Sequence, residues 1–395
     1  MSDLIHKAAY ALQEETIALR RDLHAHPELA FEEVRTAKIV SDQLAGLGLK
    51  NIKTNVGKTG VTAVLDTGKA GKTVLARADM DALPVQEERN ELEFRSTIDG
   101  KMHACGHDGH TAILLSTAKL LSQHQEHFSG KVVFVFQPAE ETVEGAKAML
   151  ADNALEDYKV DHSLGLHLSS MHPLGTASMR KGPAFAATDL FEIQLIGKGG
   201  HAAMPHSNID PVVAASQLIM ALQTLVSRET NPVDQAVLSM TSFQAGSTYN
   251  VIPEEVNMKG TLRTFNDETR AFLKQRIQQV SEGLASTLRC NARVTFVQGC
   301  PAVINDETMT EVFANVAASV LGDSQVERNA PMIMGSDDMS LWLQEGSGCY
   351  FFLGAANEEL DFNYPHHHPK FGIDEASLPL AVEIFSKGII RYLET

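Results

Sequence analysis

The order in which strand-forming and helix-forming segments follow one another constrains this chain most. Short apolar runs at 61–65, 73–76, 131–136 and 162–168 alternate with helical spacing, first at Leu4, Ala8, Leu12, Leu19 and Leu23 and again at 111–121. Helices between short buried strands predict an α/β layer structure. The pattern then changes. A strand at 190–196, a helix at 211–226, strands at 236–243 and 256–262, a helix at 269–287 and a strand at 292–297 give βαββαβ, the ferredoxin-like order. After Pro301 the α/β character resumes, with helices at 308–320, 338–344 and 377–392 and a strand at 349–353. A compact unit can be inserted between two halves of another domain. The expected organisation is a split α/β domain, 1–185 and 301–395, carrying an α+β insert at 186–300.

Charge excludes some partners. Against 33 Lys+Arg stand 50 Asp+Glu, a formal net charge of -17, with no dense basic run. Such a surface repels nucleic acid and anionic membranes, and neither is expected as a partner. It fits a protein that holds cations, without naming a substrate. The cysteines, Cys105, Cys290, Cys300 and Cys349, form no CxxC pair and no disulfide framework. The N-terminus has no continuous apolar core of the signal-peptide kind, and no run reaches membrane-spanning length. A reducing, cytoplasmic compartment is expected.

The stretch MHACGHDGH (102–110) concentrates three histidines, a cysteine and an aspartate around two glycines. Cys105 as a nucleophile would need a base and an oxyanion donor, and His103 and His107 flank it very tightly for that geometry. As a thiolate ligand it pairs naturally with His107, although one CxH pair cannot complete a metal site. A small buried thiol among capping polar residues is the bland alternative. Further donors stand at expected strand ends. Run 131–136 leads into QPAEE (137–141), where one carboxylate could bind metal while its neighbour acts as base; alone, it also reads as a solvated acidic turn. His167 ends the run 162–168, where a satisfied core histidine is the ordinary reading. NYPHHHPKF (363–371) places three histidines between prolines, as a ligand source or a surface loop. Ligand-type residues at strand ends are where α/β sheets build their sites. Sulfur, imidazole and carboxylate together suit zinc, manganese, cobalt or nickel rather than calcium or magnesium.

These segments reach a resemblance. RRDLHAHPELAFEE (20–33), ADMDALPVQE (78–87), MHACGHDGHTA, QPAEE, GLH, GKGGHAAMPH (197–206), NVIP (250–253), GTLRTF (260–265) and HHHPKF resemble, in order and nearly end to end, the M20 metallopeptidases. The likeness is to the aminoacylase-like amidohydrolase branch, which includes hippurate and auxin-conjugate hydrolases. It implies a zinc-peptidase-like catalytic domain that binds two divalent metals, Mn, Zn, Co or Ni. It also implies an inserted ferredoxin-like lid through which the chain forms a homodimer or higher homo-oligomer.

Residue by residue, Cys105, His107, Glu141, His167 and His367 match metal ligands, and Glu140 the general base. His367 lies two residues before the proline of the last motif, with His366 where leucine is common. Asp81 matches a residue orienting His107. Asp79 stands where other branches have a histidine ligand. His201 of the lid is implied to polarise the scissile carbonyl, often across a dimer, and His206 to be structural. Asn250 and Arg263 match groups holding the substrate carboxylate, for which an arginine fork is well suited. Ser336 in MGSDDMSLW (334–342) reads as a helix cap rather than a nucleophile. The implied reaction is hydrolysis of an N-acyl amino acid, with an acetyl, benzoyl or related acyl group, to a carboxylate and a free amino acid. A metal-bridged water attacks, with Glu140 as base. A dipeptidase or carboxypeptidase of the same family, or a non-catalytic metal-binding protein of this fold, are the alternatives.

Overall fold

The computed structural model describes residues 2–395. The chain divides into two compact units. One comprises the chain up to Ala184 together with Val303–Pro331 and Asp337–Thr395; the other comprises Phe185–Ala302 and Met332–Ser336. Each has its own hydrophobic core. The pentapeptide Met332–Ser336, inside the segment expected to complete the α/β domain, groups with the second unit. The reason is local: Ala186 N–H donates to Ile333 O and Gly335 O, and Arg263 Nη1 donates to Ser336 Oγ.

The first unit is built on an eight-stranded sheet. Its centre is parallel: Lys131–Gln137 pairs with Thr73–Asp79, which pairs with His162–Pro173, which pairs with Ser347–Ala356. Gly60–Asp66 and Lys50–Val56 extend one side in antiparallel fashion. The middle strands are buried almost throughout, VLARAD and KVVFVFQ included, as a sheet covered on both faces requires. Helices His107–Gln123 and Ser377–Leu393 are themselves nearly all buried. The parallel arrangement brings the C-terminal ends of Thr73–Asp79, Lys131–Gln137 and His162–Pro173 to one edge of the sheet.

The second unit is a four-stranded antiparallel sheet in the order Ala236–Ala245, Glu255–Thr264, Ala187–Ile196, Asn291–Cys300. The helices Pro211–Thr224 and Asp267–Thr287 bury Leu218, Leu222, Leu273 and Ile277 in its core. Numbered along the chain, the strand order is 4-1-3-2, so the βαββαβ pattern is realised as the ferredoxin-like sheet.

Candidate metal centre and amidohydrolase site

Gly106, at φ 92°, turns the chain between Cys105 and His107, and His107 opens the helix His107–Gln123. The His107 Nδ1–H donates to the backbone oxygen of Asp81 at 2.9 Å. That bond leaves Nε2 as the lone-pair nitrogen, and Nε2 is buried without a hydrogen-bond partner. His167 repeats the device: its Nδ1–H donates to Leu168 O at 2.7 Å, and its Nε2 lies 3.5 Å from Cys105 Sγ. Glu141 Oε1 is another buried atom without a hydrogen bond, with His367 Nε2 at 3.4 Å.

The five expected ligands therefore fall into two donor triads. Cys105, His107 and His167 form one, Cys105, Glu141 and His367 the other, each with its donor atoms within 4.8 Å of one another. Cys105 is common to both. Of the histidine triplet, His367 is the one beside Glu141. His366 packs against the His167 ring at 4.8 Å, and His368 Nδ1 accepts the Lys370 N–H at 3.0 Å. Buried nitrogens and carboxylate oxygens without partners cost about 1–3 kcal/mol each. Here they converge on a thiol, so the donor set fits divalent cations of the softer kind.

Electrostatics agree. Burial pushes the Cys105 thiol far up, and Glu141 and Glu140 push it further. Such a thiol ionises only beside a cation, which speaks against a free nucleophile. Burial opposes the charged form of His107, but Asp79 and Asp81 outweigh it and raise the ring to about 10. A metal ion would compete with that proton for the same Nε2. Glu140, with Oε2 4.0 Å from His107 Nε2, is held well above the usual carboxylate range by burial and by Asp337, Glu141 and Asp338.

The support beneath these residues was mostly hidden in the sequence. Asp81 does more than orient His107: its two carboxylate oxygens accept the N–H groups of Glu140 and Glu141, each at 3.0 Å. Asp79 accepts from Arg77 Nη1 at 2.7 Å and from His110 Nδ1 at 2.6 Å. His110 Nε2 accepts the Leu168 N–H, so both of its nitrogens are engaged. Arg77 also reaches Asp337, Asp338 and Gln137. Its signal was available: a charge inside the buried strand VLARAD demands partners. Asp108 accepts from Arg20 Nε and His24 Nδ1, both at 2.8 Å, which ties the MHACGHDGH turn to helix Gln13–Ala25.

In the second unit His201 and Asn250 are neighbours. His201 pairs with Val251, and Ala202 N–H donates to Asn250 O. Arg263 is not with them. It lies opposite Thr188, eight residues along its strand from Glu255, which faces Ile196, roughly 26 Å at the usual rise per residue. The half-buried Arg263 guanidinium bonds Thr261 and Ser336 hydroxyls, and no carboxylate pairs with it among the described residues. Ser336 is thus an Arg263 partner and not a helix cap; Asp337 Oδ1 accepts the Met339 N–H instead.

A split α/β scaffold with a ferredoxin-like insert thus carries a cluster of metal-ligand-type side chains around a shared cysteine, as a metal-dependent enzyme would. The model of peptidase family M20/M25/M40 matches residues 75–391, and the chain belongs to this family. It is a hydrolase of amide bonds. An IAA-amino acid hydrolase of Arabidopsis thaliana is 42% identical over 381 residues, 95% of this chain and 85% of that one. An N-acetylcysteine deacetylase of Bacillus subtilis is 40% identical over 379 residues, 96% and 97% of the two chains. Among solved structures, a dinuclear metal-binding M20 peptidase of Bacillus subtilis superposes with TM-score 0.83 at 36% identity, covering 98% of this chain and 99% of that one. Among the described residues no helix is long and apolar enough to cross a membrane.

Proposed function

We propose that the protein is a metal-dependent amidohydrolase that cleaves N-acyl-L-amino acids to a carboxylate and a free amino acid. The observation that carries the reading is the pair of donor triads sharing Cys105, with a further carboxylate, Glu140, beside them and needed by neither. Cys105, His107, Glu141, His167 and His367 would hold two divalent ions, of which manganese, zinc, cobalt and nickel suit the donors. When bound, such ions supply an electrophile for the amide carbonyl and acidify water.

The chain's own groups do the rest. Glu140 takes a proton from the attacking water and delivers it to the leaving nitrogen, so that one water is consumed and acid and amine are released. His201 donates to the oxygen on which charge develops. Arg263, a guanidinium without an anion, and Asn250 hold the free carboxylate, favouring terminal amino acids over chain interiors. Because Arg263 and the His201–Asn250 pair stand at opposite ends of one sheet, they meet one substrate when two copies supply them. This reading calls for a homodimer joined through the insert. The four cysteines are all buried, which suits a reducing compartment such as the cytoplasm.

Acetyl, benzoyl and longer acyl groups, and dipeptides as the peptidase alternative, belong in one substrate panel. Glu140→Gln tests the reading: it should abolish turnover while metal content stays at the wild-type level. Substantial activity in that variant sinks Glu140 as the base.

A further inference from the structure

Glu33 is completely buried, and its three hydrogen-bond partners are neutral donors. Oε1 accepts the N–H of Phe31 at 3.0 Å and of Ala139 at 2.9 Å, and Oε2 accepts Thr59 Oγ1 at 2.5 Å. Phe31 and Ala139 are non-glycine residues in the left-handed region, at φ 62° and 53°, and Lys58, next to Thr59, is at φ 81°. Such backbone is disfavoured wherever a Cβ is present. It persists only where the surroundings over-determine it, and it gathers at functional sites.

Glu33 precedes helix Val34–Gly46, yet its side chain makes no cap to that helix. Capping would ask for a short Ser, Thr, Asp or Asn, so it does not account for a buried glutamate. What the carboxylate does reach is the turn of the proposed base. Ala139 comes directly before Glu140 and Glu141, whose N–H groups go to Asp81. Three successive amides are thus received by two buried carboxylates, one of which, Glu33, touches none of the donor triads.

We propose that Glu33 is a positioning residue for hydrolysis: by accepting the Ala139 N–H it fixes the left-handed turn from which Glu140 and Glu141 project. The inference rests on Glu140 being the base. Glu33→Asp withdraws the carboxylate by one methylene, and Glu33→Ala removes it. Glu33→Gln keeps a carbonyl oxygen for Phe31 and Ala139 and turns its amide toward Thr59. Thr59→Val deletes the remaining bond without touching the turn.

Manganese-loaded variants shown to be folded by circular dichroism are compared for kcat and KM. Manganese affinity is measured on the stripped proteins by calorimetry. Glu33→Asp and Glu33→Ala should lose kcat by about 100-fold, the scale set by ångström misplacement of a reacting group, with KM within about 3-fold. Their manganese affinity should fall, because Glu141 shares the turn. Glu33→Gln should recover most of kcat, and Thr59→Val should lower the melting temperature while keeping kcat. Full kcat in a folded Glu33→Asp overturns the proposal. So does a loss in Thr59→Val as large as in Glu33→Asp, which would make Glu33 ordinary scaffold. Should Glu33→Ala fail to fold, Glu33→Asp and Glu33→Gln decide. Glu140→Gln in the same series keeps the two ideas apart: activity there removes the base, whereas manganese affinity reports on the turn without turnover.

Discussion

At the scale of single residues, Cys105 stands under the strongest opposing demands. It belongs to both donor triads, yet burial and the carboxylates of Glu141 and Glu140 hold its thiol protonated when no cation is near. A protonated buried thiol is a poor nucleophile. In the metal-stripped protein at neutral pH, iodoacetamide should therefore alkylate Cys105 far more slowly than it alkylates the same cysteine in urea. Mass mapping of the modified peptide checks this, and fast modification of the folded protein would contradict the account. Residue types were the most legible level of the site. Cysteine, histidines and paired glutamates announce ligand chemistry in the sequence. What spacing could not give was the state of each group. The His107 and His167 tautomers are set by carbonyl oxygens of Asp81 and Leu168, and backbone acceptors leave no mark in side-chain pattern. Arg263 was expected by type to hold a carboxylate, but its distance from Asn250 follows from strand register, which one motif cannot encode.

At the scale of elements, the strands were readable because they are continuously apolar, and the βαββαβ order because its helices and strands alternate at clear periods. Helix Val34–Gly46 was not. Its buried face is Thr36, Val40 and Leu44, one residue per turn with one of the three polar, too thin a stripe to stand out. The turns between elements carry the buried acids, and these make folding depend on pH. Burial raises the Glu33 carboxyl to about 7, with the Thr59 hydrogen bond opposing and Asp81 adding to the rise. Its folded pKa therefore lies above the unfolded value near 4.5, so the neutral form is favoured by folding. The associated stability is complete below the unfolded value and is lost as pH rises through about 7, on the order of 3 kcal/mol in all. Glu33→Gln has no such charge to acquire. The melting temperature of Glu33→Gln minus that of the wild type should climb between roughly pH 5 and pH 8. A flat difference across that range would show that the Glu33 carboxyl is not raised.

At the scale of the whole molecule, two cores built on different principles occupy one chain. The first is a mostly parallel sheet buried on both faces, the second an antiparallel sheet backed by two helices. The second unit carries His201 and Asn250 at one end of its sheet and Arg263 at the other. If two copies complete each site, two inactive variants should repair one another. Mixing His201→Ala with Arg263→Ala, after dissociation and reassembly, should restore about a quarter of wild-type activity, since half of the dimers are mixed and each holds one intact site. A mixture as inactive as its parents would place all these groups in one copy or remove one of them from the reaction.

The central claim is that amide hydrolysis here depends on divalent metal held by Cys105, His107, Glu141, His167 and His367. The direct measurement strips the protein with a chelator. Hydrolysis of N-acetyl and N-benzoyl amino acids is then followed before and after adding back manganese or zinc, with Cys105→Ala alongside. Activity should vanish on stripping, return with metal in the wild type and stay low in Cys105→Ala. Hydrolysis that survives thorough chelation, or that Cys105→Ala leaves intact, would contradict the account.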